Sequence, residues 1–149
     1  MKHTPSIQTL VGEVISQVWF SDYSICYLEL GILKAGRILP NGRIGTPSGE
    51  FTVFLGYDWK AQVNGFDKSR LDFHTNDVER ASLVASLQGA AIRTIELRTS
   101  DSEIEICLST GMTILTVSNE DDDPSWSIRF DKQFQGHLCI EDHKLEFKC

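Results

Sequence analysis

No run of ~18 consecutive apolar residues, the length a bilayer crossing needs, occurs in this chain of 149 residues. Cationic charge is scarce, with 14 Lys and Arg against 21 Asp and Glu. That balance disfavours non-specific nucleic-acid binding, which needs cations opposite phosphates. The start, Met1-Lys2-His3-Thr4-Pro5-Ser6, has no apolar core of a signal peptide, so no export and a cytoplasmic location are expected. The four cysteines (Cys26, Cys107, Cys139 and Cys149) form no C-x-x-C pair. Reduced thiols are therefore expected rather than a disulfide framework. Neither G-x-S-x-G nor H-E-x-x-H is present, so no enzyme activity, cofactor or metal is expected.

What is there suits a globular domain: 41% hydrophobic and 23% charged residues in a chain of single-domain length. The chain also reads as a duplication. Leu10-Val11-Gly12 and the alternating residues to Phe20 return 77 positions later as Leu87-Gln88-Gly89 and the residues to Leu97. The same offset lays Pro47-Ser48 and Phe51–Val53 over Pro124-Ser125 and Ile128–Phe130. The acidic excess lies in one copy. Residues 1–75 hold seven acids and seven bases, whereas residues 76–149 hold fourteen acids and seven bases.

Period-2 alternation gives most of the elements. Residues 5–11 read as one helical turn capped by Thr4. Strands follow at 13–20, with Val14, Val18 and Phe20 on one face, and at 26–30. Residues 32–46 belong to the first copy alone. There Gly36-Arg37-Ile38 and Gly42-Arg43-Ile44 flank Leu39-Pro40-Asn41, which predicts a projecting hairpin. Residues 50–55 form a strand, and 56–75 read as an irregular connection. Asn76 caps a helix over 77–87, stopped at Gly89. The second copy adds strands near 95–97, 103–109, 112–117 and 126–130, and the tail 137–147 reads as a hairpin. The fold expected is mainly β: one domain of two repeated meanders (about 5–55 and 82–130) plus the tail hairpin. The meanders pack as a sandwich or a partly open barrel, covered by the 77–87 helix.

The second copy runs Leu87-x-Gly89, strand, turn, Glu103–Leu108, a turn at Gly111, Thr113–Val117, an acidic loop, then Ser125-Trp126-Ser127-Ile128. This series resembles a group of small bacterial all-β proteins that includes immunity-like proteins of polymorphic toxin systems. The resemblance implies a non-catalytic inhibitor that binds a cognate toxin domain. Such a toxin would be basic, for instance a nuclease, and an acidic inhibitor would find it quickly by electrostatic steering. No catalytic residue comes with the resemblance.

The candidate partner-binding residues are Glu103 and Glu105, read as sharing the outer face of one strand opposite Arg93 or Arg98, and the run Glu120, Asp121, Asp122 and Asp123. That run has contiguous acids and then Pro124, unlike the alternate spacing of a calcium loop. Asp58, Asp72 and His74 lack a nucleophile beside them and read as turn residues. His137, His143 and Cys139 are too few for a zinc site. Lys34, Arg37 and Arg43 make the one basic stretch. Trp19 faces away from Val18 and Phe20, towards a second apolar layer or an interface. The alternative function is a small-molecule-binding or regulatory β domain with no catalytic activity.

Overall fold

The computed structural model describes residues 6–21, 25–36, 38–56, 59–63, 66–98, 102–117, 126–131, 136–141 and 144–148. Two antiparallel sheets pack around one hydrophobic core. The six-stranded sheet has the order β1 (Ile15–Phe20), β2 (Cys26–Leu30), β3 (Phe51–Leu55), β9 (Ser127–Phe130), β10 (Gly136–Glu141), β11 (Lys144–Lys148). The five-stranded sheet has the order β5 (Phe66–Ser69), β4 (Trp59–Val63), β8 (Thr113–Thr116), β7 (Ile104–Leu108), β6 (Ile92–Leu97). Helices α1 (Arg70–Thr75) and α2 (Asp77–Leu87) join β5 to β6, and a 3-10 turn (Ile7–Leu10) precedes β1. The fold is the mainly-β pair of packed meanders that the alternation predicts, and the described strands form no closed barrel.

The duplication is visible as a pseudo-twofold axis. Val14 and Ala91, 77 positions apart, form a bridge with each other. Gly12 N–H donates to the Ile92 carbonyl and Gly89 N–H to the Ile15 carbonyl, both at 2.8 Å. Ile15 N–H donates to Ala90 at 2.8 Å and Ile92 N–H to Glu13 at 2.9 Å. Each bond maps onto its mate under the 77-residue shift. Gly12 and Gly89 have φ of +90° and +91°, a conformation that glycine adopts without steric cost. Both first strands carry an irregular register at matching places, between Ile15 and Gln17 and between Ile92 and Thr94. That bulge puts Ile15 rather than Val14 in the core beside Val18, and Val14 is exposed.

The copies exchange strands. β3 pairs with β2 on one side and β9 on the other, and β8 pairs with β7 and β4. The strand after each meander therefore crosses into the other copy's sheet. Val53 opposes Leu28 as Ile114 opposes Ile106, so β8 is the counterpart of β3. The Pro-Ser match at 47–53 and 124–130 is thus not a repeat equivalence. β3 and β9 lie side by side, with Phe51 opposite Phe130 and Val53 opposite Ile128. The strand β4 matches β9, which brings the buried Trp59 and Trp126 to equivalent positions.

Two further expectations change. The first turn is capped by Ser6, whose Oγ accepts from Gln8 N–H at 3.1 Å, and Thr4 lies outside the described residues. Residues 56–75 hold β4, β5 and α1 rather than an irregular connection. β4 does alternate, with Trp59 and Ala61 buried and Lys60 and Gln62 half-buried, but the run is only five residues long, and β5 is a polar edge strand. The helix at 77–87 is where the sequence places it, with Asn76 Oδ1 accepting from Glu79 N–H at 3.1 Å, but α1 accompanies it.

Candidate functional site

Side chains of the six-stranded sheet that point away from the core fall into two cross-strand rows. One row runs Trp19, Tyr27, Phe54, Ser127, Cys139 and Glu146 from β1 to β11. The other runs Gln17, Glu29, Thr52, Arg129, His137 and Lys148. An outer face usually carries solvated polar groups. Here Trp19 and Tyr27 stack with ring centroids 3.9 Å apart and planes 4° from parallel, and Tyr27 leans on Phe54 at 5.2 Å.

The insertion 31–50 folds over this face as the predicted hairpin. Lys34 bridges to Ser48 and Ile38 to Ile44. Its stem is close-packed: a Cβ on Gly36 would run into the Gly45 carbonyl. An ion pair of 3.7 Å between Lys34 and Asp131 fastens it to the end of β9. Between stem and sheet lies a groove of about 810 Å³. Trp19, Tyr27, Phe54, Thr52 and Arg129 line its floor, and Ala35, Gly36, Gly45 and Pro47 line the hairpin side. A volume of that order suits a small ligand or a few residues of a partner.

Glu29 organises the groove. It is 1% exposed although it lies on the outer face. One carboxylate oxygen accepts from Trp19 Nε1–H at 2.7 Å. The other accepts from Gly49 N–H at 3.0 Å and from the Thr52 hydroxyl at 2.5 Å. Thr52 Oγ1 in turn accepts from Arg129 Nη2 at 3.1 Å. Burying a carboxylate costs several kcal/mol unless hydrogen bonds replace water. Here the replacement bonds fix an indole, the base of the hairpin and, through Thr52, a guanidinium.

The second copy shows what has diverged. The counterparts of Trp19, Tyr27 and Phe54 are Glu96, Glu105 and Leu115, aligned across β6, β7 and β8. Those of Glu29 and Thr52 are Cys107 and Thr113, in contact at 3.7 Å. In place of the insertion is a tight turn, where Leu108 N–H donates to Met112. One copy thus presents an aromatic groove and the other an acidic face.

Of the residues expected to touch a partner, Glu105 is half-buried on that acidic face. Its cross-strand neighbour is Glu96, not Arg93 or Arg98. Arg93 falls at the bulge, and Arg98 donates to the Thr116 carbonyl at 2.8 Å. Glu103 is 1% exposed, so it is no part of a solvated face. It precedes β7 where the chain turns inward beneath Trp126, whose Nε1–H donates to the Ser102 carbonyl at 2.9 Å. Glu120, Asp121, Asp122 and Asp123 lie outside the described residues, as do Asp58, Arg37 and His143.

The Asp72 carboxylate accepts from Ser69 N–H at 2.8 Å and so caps α1, which is a structural role. His74 is exposed on the same helix. Among the described residues no three His, Cys, Asp or Glu are grouped to hold a metal. Trp19 proves to be the floor of a groove, and His137 lines it too. Sequence reasoning did not find Glu29, Thr52 and Arg129 as a site. The available signal was Glu29 and Trp19 on the outward positions of adjacent strands.

No protein-family profile, curated protein or solved structure matches this chain. No described helix is long and apolar enough to cross a membrane.

Proposed function

We propose that this chain is a non-enzymatic binding protein that neutralises a cognate antibacterial toxin domain in the cytoplasm by forming a stoichiometric complex. The observation that carries the reading is the hairpin and groove built onto the first copy alone. Ile32, Ile38 and Ile44 on the insertion are 75%, 80% and 72% exposed. Beside them lie aromatic side chains and an arginine, the residue types enriched where protein interfaces concentrate their binding energy. Exposed branched apolar side chains on a projecting arm gain most when a partner covers them.

The second copy contributes charge. Glu96 and Glu105 stand directly opposite each other, an arrangement that disfavours the sheet and suits attraction of a basic partner. In this reading Glu105 stays a contact candidate, Glu103 is too buried to be one, and the 120–123 run lies outside the described residues. The runner-up reading, a small-molecule-binding domain, draws support from the groove volume.

The test is a titration against the C-terminal domain of the protein encoded immediately upstream, at low and high salt. A one-to-one complex in the nanomolar range, with association slowed by salt, is expected. Ile38→Asp with Ile44→Asp, both at exposed positions, should weaken it at least ~10-fold, the effect of losing about 1.4 kcal/mol. No complex at either salt sinks the inhibitor reading.

A further inference from the structure

We infer that the groove is a preorganised receptor for a carboxylate attached to a flat apolar group, with Arg129 holding the carboxylate and the Trp19–Tyr27–Phe54 row holding the flat group. Three features converge on that chemistry. The first is the way Arg129 is held. A guanidinium offers five N–H donors in a planar fork. Thr52 Oγ1 engages it through Nη2 at 3.1 Å, while the Thr52 proton goes to Glu29 at 2.5 Å. The fork is thereby oriented before any ligand arrives, and Arg129 lines the groove. Preorganisation of this kind removes an ordering cost from binding.

The second feature is shape. The floor is aromatic, and the hairpin side is built from Ala35, Gly36, Gly45, Thr46, Pro47 and Ser48. Small side chains opposite rings leave a slot, and a slot selects a flat body. The same buried Glu29 that orients Arg129 through Thr52 also holds Trp19 Nε1–H at 2.7 Å. One carboxylate therefore sets the distance between the anion-binding group and the apolar floor.

The third feature is charge. Arg129 is the cation of the groove floor, and His137 is its cross-strand neighbour. Lys34 is engaged by Asp131 at 3.7 Å. Asp131 and Glu29 line the same groove and oppose a second negative charge. Two cations, Arg129 and Lys34, face two carboxylates, Glu29 and Asp131, so the groove carries no excess positive charge and opposes a phosphate dianion more than a monoanion. A planar carboxylate also meets the guanidinium with two parallel hydrogen bonds.

The inference deepens the binding reading without depending on it, because the ligand has two candidate sources. It is either a free aromatic acid or an acidic side chain next to an aromatic one on the partner. The experiment uses the full chain, labelled with nitrogen-15, and follows its indole N–H resonances. Phenylacetate is the probe, and phenylacetamide and phenyl phosphate are the controls. Phenylacetate should move the Trp19 indole signal and leave those of the core residues Trp59 and Trp126 in place. Arg129→Gln should weaken binding at least ~10-fold. Thr52→Val should weaken it several-fold while the rest of the spectrum stays the same, the mark of a positioning residue.

Three results overturn the inference: no movement up to the solubility limit of the probe, equal binding of the acid and the amide, or indifference to Arg129→Gln. The upstream-encoded toxin domain is then added. Competition with phenylacetate assigns the carboxylate to the partner, and simultaneous binding assigns it to a free acid. If phenylacetate binds through Arg129 and no toxin domain binds at all, the site stands and the inhibitor reading falls.

Discussion

At the scale of single residues, the pseudo-twofold axis supplies internal controls. Trp59 and Trp126 are equivalent, both almost fully buried, yet their indole nitrogens differ. Trp126 Nε1–H donates to Ser102 at 2.9 Å, while Trp59 Nε1 has no hydrogen-bond partner among the described residues. Replacement by Phe removes similar volume from each. At position 126 it also strips a carbonyl of its donor, and at 59 it removes a donor with no partner among the described residues. Trp126→Phe should therefore cost about 1–2 kcal/mol more than Trp59→Phe, measured by urea unfolding. Equal costs would show that the hydrogen bond contributes nothing.

Cys26 makes a second residue-scale case. Full burial pushes its thiol far above the ordinary value of 9.0. The sign follows directly. Above pH ~9 the unfolded chain releases the proton and the folded chain keeps it, so stability present below that pH is lost as pH rises. The loss approaches ~1.4 kcal/mol per pH unit. Cys26→Ala should be less stable near neutrality but should fall less steeply between pH ~9 and ~11. Parallel stability curves for the two proteins would contradict this account.

At the scale of elements, the contrast between the two connections matters most. Leu30 pairs with Phe51 across the long insertion 31–50. Its counterpart Leu108 meets Met112 across the turn 109–111. The same pair of strands is thus closed in two ways within one molecule, so a three-residue turn is enough to join them. Replacing 31–50 by Ser-Thr-Gly, the sequence of that turn, should leave a folded two-sheet protein. Glu29 loses the Gly49 N–H, so a loss of about 1–2 kcal/mol is expected. Binding of phenylacetate, and of any toxin domain that the intact chain binds, should disappear. An unfolded product, seen as collapsed amide dispersion in NMR, would mean that the hairpin clamp is part of the fold.

Helix α2, the hairpin and the second meander were legible because caps, turn residues and alternation are local signals. β4 and β5 were not, since each is short, β5 is a polar edge strand, and no single period runs through the stretch 56–75 that holds them. The groove was illegible for another reason. Alternation identifies which face a residue occupies, but not which strands share that face. Glu29, Thr52 and Arg129 come together only because β9 lies beside β3.

At the scale of the whole molecule, that strand exchange decides how the copies depend on each other. The first copy supplies β1–β3 to one sheet and β4–β5 to the other, and the second copy completes both. Each half alone would leave the edges of β3 and β4 unpaired and one face of its apolar strands in water. Exposed edges and half-covered faces are unstable in isolation. The 77-residue repeat is therefore a sequence unit and not a folding unit.

Cutting the chain between α1 and α2, into 1–75 and 76–149, tests this directly. Each fragment alone should lack the amide dispersion of a fixed β structure. Mixed in equal amounts, they should recover the spectrum of the intact chain, because the cut falls at a surface connection between two helices. Their affinity should weaken on Val53→Ala, a core residue of β3 that stands opposite Ile128 of β9 across the boundary between the copies. A folded 1–75 fragment would show that one copy suffices, and the exchanged strands would then be an ornament of the duplication rather than what holds its halves together.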